Sequence, residues 1–416
     1  MERAPLDSPL VRATAAALAV LALVAAGCGS SSAKQQRTIL VVVDAPFSQS
    51  PYIGNTIANG ARLAADQLTA RGITTGGTTY KVRVLRLDNA LSPSRAVANV
   101  RRALREHATA ILTDGTGVDA TWRLAEKQHV PICITYQGGG ALVNPETRPN
   151  VFRIAPTDHG LAFRLAEYLV PKGLKIALLT DDSDYGQAGR AALDDAFRTL
   201  PKAVAARITL PSSAGDLAPQ ALEARRSGAS ALLVWARPAV LAKTIAAARS
   251  AGWRVPVYTT PAGEDPVVRQ QLADHPSWVD GLTFASGRMT AELGPAPWST
   301  FEAAYEAAFG ATSVGVKSLG RRVIAPPDYA MYSYDFVNVL AAAVQRAGGT
   351  DPGKVLAALN QVSTRGANGD ERGFNERNHE GVVDDDVYFA RFRDMVFRPV
   401  RDDPLSSTLP VINQVR

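Results

Sequence analysis

Residues 38–88 read TILVVVDAPFSQSPYIGNTIANGARLAADQLTARGITTGGTTYKVRVLRLD, and three segments within them decide the fold. Ile39–Val43 is an unbroken aliphatic run of the kind that forms a strand buried on both faces. Asn55–Ala70 places apolar residues at i, i+3 and i+4 and stops at Gly72, which predicts an amphipathic helix. Val82–Leu87 is the next strand. A helix between two strands returns the chain to the edge where it began, so the strands lie parallel and a layered α/β architecture is expected.

The alternation continues outward. Further strands are expected at Ala110–Thr113, Ile132–Thr135, Lys175–Thr180, Ala203–Leu210, Ala231–Trp235, Val255–Tyr258 and Leu282–Ala285. Helices are expected near Ser94–Glu106, Val118–Gln128, His159–Leu169, Gly186–Leu200, Leu217–Ser227 and Pro238–Ala251, with Gly228 and Gly252 closing the last two. The spacing nearly repeats from Leu174 onward, which predicts two similar lobes rather than one very large sheet. After Ala285 come two long helices, Trp298–Phe309 and Tyr329–Ala347, and then an extended acidic and aromatic tail from Gly373.

A chain of 416 residues, 46% hydrophobic and 20% charged, has material for two or three globular domains. The formal net charge is +6, but Lys and Arg are dispersed, and the densest group, Arg101, Arg102 and Arg105, lies on one flank of a helix. A solvated face is expected there, and no nucleic-acid partner. Ala13–Ala26 is an uncharged run after Arg12, shorter than the roughly 20 residues of a spanning helix and suited to a signal-peptide hydrophobic region. It ends in Ala25-Ala26-Gly27-Cys28, similar to the bacterial lipobox, although Ala25 stands where Leu is usual. Residues 1–27 are read as a lipoprotein signal peptide, Cys28 as the lipidated mature N-terminus, and residues 28–37 as a flexible tether. The other cysteine, Cys133, lies in the apolar run Pro131–Ile134 and is expected to be a buried small hydrophobe, which leaves no internal disulfide.

The segment Ile53-Gly54-Asn55 through Asn59-Gly60-Ala61-Arg62-Leu63 to Arg71-Gly72-Ile73 resembles the first helix of the branched-chain amino-acid (leucine/isoleucine/valine) binding proteins of ABC transporters. The resemblance continues through Leu87-Asp88-Asn89, Ser92-Pro93-Ser94-Arg95-Ala96, Phe152-Arg153-Ile154-Ala155-Pro156-Thr157-Asp158 and Asp184-Tyr185-Gly186-Gln187-Ala188-Gly189. It reaches the tail segments Gly373-Phe374-Asn375, His379-Glu380-Gly381 and Val387–Phe392. It implies the type I periplasmic binding protein fold, two Rossmann-like lobes with parallel sheets joined by a three-crossing hinge, with ligand in the cleft. The crossings are expected near Ala155, Ala285 and Val362. The N-terminal lobe would then hold residues 38–154 plus 286–362, and the C-terminal lobe 155–285 plus 363–416.

Several loops at strand ends are candidates for the ligand site. Asp114-Gly115-Thr116-Gly117-Val118-Asp119-Ala120 follows a strand and opens a helix. Its G-x-G-x-x-A spacing is a weak dinucleotide signal, because the next strand ends in Tyr136-Gln137-Gly138 with no acid to hold a ribose. The amides of Thr116 and Gly117 at a helix N-terminus suit a carboxylate or other polar ligand group, or form a plain structural turn. In Tyr136-Gln137-Gly138-Gly139-Gly140 the hydroxyl residue that the family usually carries is replaced by Gly138; either Gln137 takes over its role or the loop is only a flexible surface segment. The resemblance implies that Tyr185 packs on the ligand, and Trp235 is read as the neighbouring cleft aromatic or as core. In Pro261-Ala262-Gly263-Glu264-Asp265 the family's ammonium-binding acid falls nearer Pro261 or Ala262, so Glu264 is either a ligand contact or, with Asp265, a helix cap.

No H-E-x-x-H, C-x-x-C, G-x-S-x-G or Walker pattern occurs, and the five histidines are scattered. Asp384-Asp385-Asp386 lacks the glycine-turned spacing of a calcium loop and reads as a charged turn. The expected protein is therefore not an enzyme and takes no cofactor or metal. It is a monomeric, extracytoplasmic receptor anchored by lipid to the outer face of the cytoplasmic membrane. It would hand a small polar or amino-acid-like ligand to an ABC permease. A sensory module built on the same lobes is the alternative, and a nucleotide-using enzyme a more distant one.

Overall fold

The computed structural model describes residues 37–287, 296–310, 315–318, 321–324, 328–383, 387–393 and 396–408. The expected signal segment, Cys28 and Asp384-Asp385-Asp386 lie outside the described residues.

The chain begins β1 (Arg37–Ala45), α1 (Pro51–Arg71), β2 (Ile73–Thr75), β3 (Thr78–Asp88), α2 (Pro93–Arg105), β4 (Ala110–Thr113), α3 (Val118–Glu126), β5 (Ile132–Ile134) and β6 (Val151–Arg153). These strands form one six-stranded sheet in the order β2-β3-β1-β4-β5-β6. β1 is central and parallel to both β3 and β4, which explains why Ile39–Val43 has no polar face. β3 alternates more, because beyond it lies only the short antiparallel edge strand β2.

The second series is α4 (Asp158–Leu169), β7 (Ile176–Asp181), α5 (Asp184–Ala196), β8 (Val204–Leu210), α6 (Ala218–Arg226), β9 (Ala231–Trp235), α7 (Pro238–Ser250), β10 (Val257–Thr259), α8 (Pro266–Gln271) and β11 (Thr283–Ser286). The chain continues with α9 (Ala296–Phe309), β12 (Gly315–Ser318), β13 (Arg321–Ile324), α10 (Asp328–Ala347), α11 (Pro352–Leu359), β14 (Ser363–Arg365), β15 (Glu371–Gly373), β16 (Tyr388–Arg393) and β17 (Val396–Pro399). The second sheet has seven strands in the order β17-β16-β11-β10-β9-β7-β8. Its β7 to β11 are parallel, and β16 and β17 complete the edge antiparallel.

The helices after β11 return to the first sheet. α10 packs along α1, and Gly60 is the point of closest approach: a Cβ there would run into Ala330 O and Ser333 Oγ. The Asn59-Gly60-Ala61 signature thus has a packing cause.

The third crossing is not near Val362. β14 and β15 pair with each other and pack on α10, and Glu380 sits beside β6, where its carboxylate accepts from Arg153 Nε at 2.7 Å and Nη2 at 2.6 Å. Gly381 N still donates to Arg153 O at 2.7 Å. Residues 363–381 therefore stay with the first lobe, and the chain reaches the second sheet only at β16. A buried ion pair, Arg372 with Asp335 at 3.3 Å, holds this segment in place. Its polar composition, with acids and arginines mixed, carries no apolar period by which to assign it to either lobe.

Candidate functional site

The strands of both sheets point their carboxyl ends at one another, and the loops leaving those ends meet across a cleft of about 300 Å³. That is where open α/β sheets place ligands.

On the first lobe, the turn after β4 needs both its glycines. Gly115 has φ +113° and Gly117 φ +72°. Gln137 lies over Gly115, where a Cβ would come within 2.7 Å of its own, and Gln137 N donates to Asp114 O at 2.9 Å. Thr116 turns inward: its hydroxyl donates to Asp114 Oδ2 at 2.6 Å and its backbone also bonds that carboxylate. Asn89 Nδ2 donates to Asp114 Oδ1 at 2.7 Å. Burial pushes the Asp114 carboxyl above its ordinary range despite these donors. The reading of Thr116 as an anion-binding amide is thereby corrected, because a buried carboxylate already takes its donors. Gly117 still lines the cleft, but its missing side chain is explained by α2: a Cβ would stand 2.7 Å from Ala96 Cβ and 3.1 Å from Pro93 Cα.

Gly138 also differs from expectation. It abuts the second lobe, where a Cβ would collide with the Asp158 carboxylate, and Asp158 N donates to Gly138 O at 2.8 Å. Gly138 serves contact between the lobes rather than ligand approach. Asp158 itself lines the cleft, and burial raises its carboxyl to about 7, against the opposing pull of Arg153 and the Gly138 backbone.

On the second lobe, Ser183 caps α5, accepting from Gly186 N at 3.3 Å. Tyr185 then faces the cleft, and its hydroxyl donates to Thr260 Oγ1 at 2.7 Å. Its ring lies 6.0 Å from that of Tyr136, which belongs to the first lobe. Tyr136 in turn meets Tyr329 edge-on at 5.3 Å, and Tyr329 meets Tyr52 at 6.5 Å. A small inner cavity of about 30 Å³, room for one water, is bounded by Tyr136, Tyr185, Tyr329, Pro261 and Ala262.

Trp235 is not a cleft wall. It is fully buried, 6.1 Å behind Tyr185, and it occupies the space that Gly189 of α5 leaves for it. Without a Cβ at Gly186 and Gly189 the helix sits close to the sheet, and the indole is consumed in that packing. Glu264 does not line the cleft but is buried in a short 3₁₀ turn, close enough to Tyr52 and Tyr329 to act on their hydroxyls; its carbonyl accepts from Arg269, and Asp265 caps α8 by accepting from Val267 N at 2.9 Å. The cleft-side members of that loop are Pro261 and Ala262, neither of them charged.

Thr116, Gly117, Gln137 and Tyr185 thus line one cleft, whereas Gly138, Trp235 and Glu264 do not line it. Arg237, not among the residues expected from sequence, lines the second-lobe wall just beyond β9. The Arg237 amide donates to Asp181 Oδ2 at 2.7 Å, and its guanidinium makes no hydrogen bond or ion pair among the described residues. The available signal was a cation at a strand-to-helix junction, Arg237-Pro238. Sequence reasoning also missed the tyrosine cluster, whose members come from α1, α5, α10 and the loop after β5 and share no sequence pattern.

The sequence matches the family described as periplasmic binding protein over residues 40–395. Among solved structures, a type 1 periplasmic binding protein from Bordetella pertussis Tohama I superposes with a TM-score of 0.76 at 20% identity, covering 87% of this chain and 100% of that one. The branched-chain amino-acid transporter substrate-binding protein LivJ of Streptococcus pneumoniae, in complex with isoleucine, gives 0.72 at 20% identity over 87% and 98%. A solute-binding protein of an ABC transporter from Rhodopseudomonas palustris BisB5, in complex with 3,4-dihydroxy benzoic acid, gives 0.69 at 18% identity over 86% and 93%. Among curated proteins none matches by sequence. No helix of the described residues is long and apolar enough to cross a membrane.

Proposed function

This chain belongs to the periplasmic binding protein family, and from that premise we propose that it is the lipid-anchored, extracytoplasmic receptor of an ABC importer, binding a small polar ligand between its lobes without chemistry. The observation that carries the reading is the meeting of Tyr136 and Tyr185, from opposite lobes, 6.0 Å apart at the floor of a cleft lined by strand-end loops of both sheets. A ligand bridging those loops would favour the closed form in proportion to the extra contact it gains there.

Arg237 supplies a cation on the second-lobe wall, suited to a ligand carboxylate. The loop after β10 lines the inner cavity with Pro261 and Ala262, and its acids Glu264 and Asp265 lie buried near Tyr52 and Tyr329. The same cleft is lined by Asp119, Asp158 and Asp184, so its walls can answer both ends of a small polar or amino-acid-like ligand, within the size that about 300 Å³ admits.

A thermal-shift panel of amino acids, amides, polyamines and aromatic acids tests the reading. A compound at about 100 times its dissociation constant stabilises the protein by roughly 2.7 kcal/mol, a plainly visible shift. Carboxylate-bearing compounds should lead the hits, and a panel headed by polyamines would contradict the role given to Arg237. For the anchor, Cys28→Ala should move the protein from the membrane fraction to the soluble fraction; unchanged membrane association would refute lipidation at Cys28.

A further inference from the structure

At the opposite end of the second sheet from the cleft, where β10 and β11 begin and β16 ends, lies an open groove of about 610 Å³. Four arginines line it: Arg249, Arg254, Arg391 and Arg393. Asp280 is its one acidic lining residue.

Two of the guanidiniums are held from behind by neutral oxygens. Arg249 donates to Trp253 O at 2.9 Å and Val255 O at 3.0 Å. Arg391 donates to Thr283 Oγ1 at 2.9 Å and to the Tyr168 hydroxyl at 2.9 Å. The nearest carboxylate to Arg391, Asp402, is 3.9 Å away and already accepts from Lys172 at 2.6 Å and Tyr168 at 2.9 Å. Arg254 and Arg393 are exposed at the rim. Arg249, fixed by neutral acceptors, keeps its charge available, while Arg391 shares its charge with Asp402 at long range; the planar forks of both match the oxygens of a phosphate group. Burial and the nearby Arg254 charge both lower the Arg249 pKa, a repulsion that a bound anion would relieve.

We propose that this groove is a second binding site, separate from the cleft, for a phosphate-type oxyanion, taken either as free phosphate or as the phosphate of an anionic lipid headgroup. Two rigid arginines form its floor, and the two exposed ones close over the ligand from the rim.

The test uses the full chain in soluble Cys28→Ala form, titrated with inorganic phosphate by calorimetry against sodium chloride of equal ionic strength. The same protein is sedimented with phosphatidylglycerol and with phosphatidylcholine vesicles. The doubly substituted Arg254→Ala/Arg393→Ala protein, altered only at exposed positions, should bind phosphate at least tenfold more weakly while keeping the wild-type melting temperature. Phosphate binding without vesicle binding would assign the site to the free anion. Sedimentation with phosphatidylglycerol alone, competed by phosphate and lost in the double variant, would assign it to the headgroup. Tyr185→Ala should leave both unchanged, so failure of the cleft reading would not affect this one. Equal binding by wild type and double variant, or no binding of either probe beyond the chloride control, would overturn the proposal.

Discussion

A single methyl group on Gly117 would meet Ala96 Cβ at 2.7 Å, on a backbone whose φ of +72° disfavours any side chain. Gly117→Ala should therefore destabilise the fold by about 2 kcal/mol, read as a lowered urea midpoint, and Gly117→Val by more. Wild-type stability with binding alone abolished would restore the view that this glycine exists to admit ligand. The loop was legible in the sequence because two glycines between a strand and a helix announce a tight turn. Its chemistry was not, because the partner that takes the Thr116 donors, Asp114, is set by burial and by Asn89 from a different loop. Trp235 shows the same limit. A residue at the end of a strand faces either the cleft or the covering helix, and here Gly186 and Gly189 on α5 decide.

Between elements, the tightest joint in the first lobe is the crossing of α1 and α10 at Gly60. The Ala330 carbonyl cannot move without distorting α10, so Gly60→Ala should cost about 3 kcal/mol, measurable by denaturant unfolding. A second joint carries a pH dependence. Asp44, at the end of β1, accepts from Asn99 of α2 at 2.7 Å, with Asn89, Asp88 and Asp114 nearby, and burial raises its carboxyl from 3.8 to about 8. Between those values the native chain holds a proton that the unfolded chain has released. Stability from this group is thus complete below about pH 4 and declines as pH rises toward about 8. Asp44→Asn should flatten the fall in urea midpoint between pH 5 and pH 8; an unchanged slope would mean that other carboxyls carry it. The long elements, strands such as Ala231–Trp235 and helices such as Tyr329–Ala347, were legible from period and glycine stops. The three-residue strands β2, β6, β14 and β15 are too short for a period, and pairing partners alone define their limits, whereas β5 and β10, equally short, are visible as apolar runs.

Across the whole molecule, the alternation of strands and helices predicted two lobes, while the boundary near Val362 failed because the Arg153–Glu380 and Arg372–Asp335 pairs tie residues 363–381 to the first sheet. No local pattern encodes such long-range pairs. The cleft depends on the same scale, since Tyr136 and Tyr185 come from opposite lobes and face each other across it. Small-angle scattering of the wild type and of Tyr185→Ala, each with and without the compound that the thermal-shift panel identifies, measures lobe closure. The expected result is a ligand-induced fall in radius of gyration in the wild type and none in the variant, with affinity in the variant reduced by roughly 1 to 3 kcal/mol from lost aromatic burial. An equal fall in both proteins, or tight binding with no compaction of the wild type, would contradict ligand capture by closure over Tyr185.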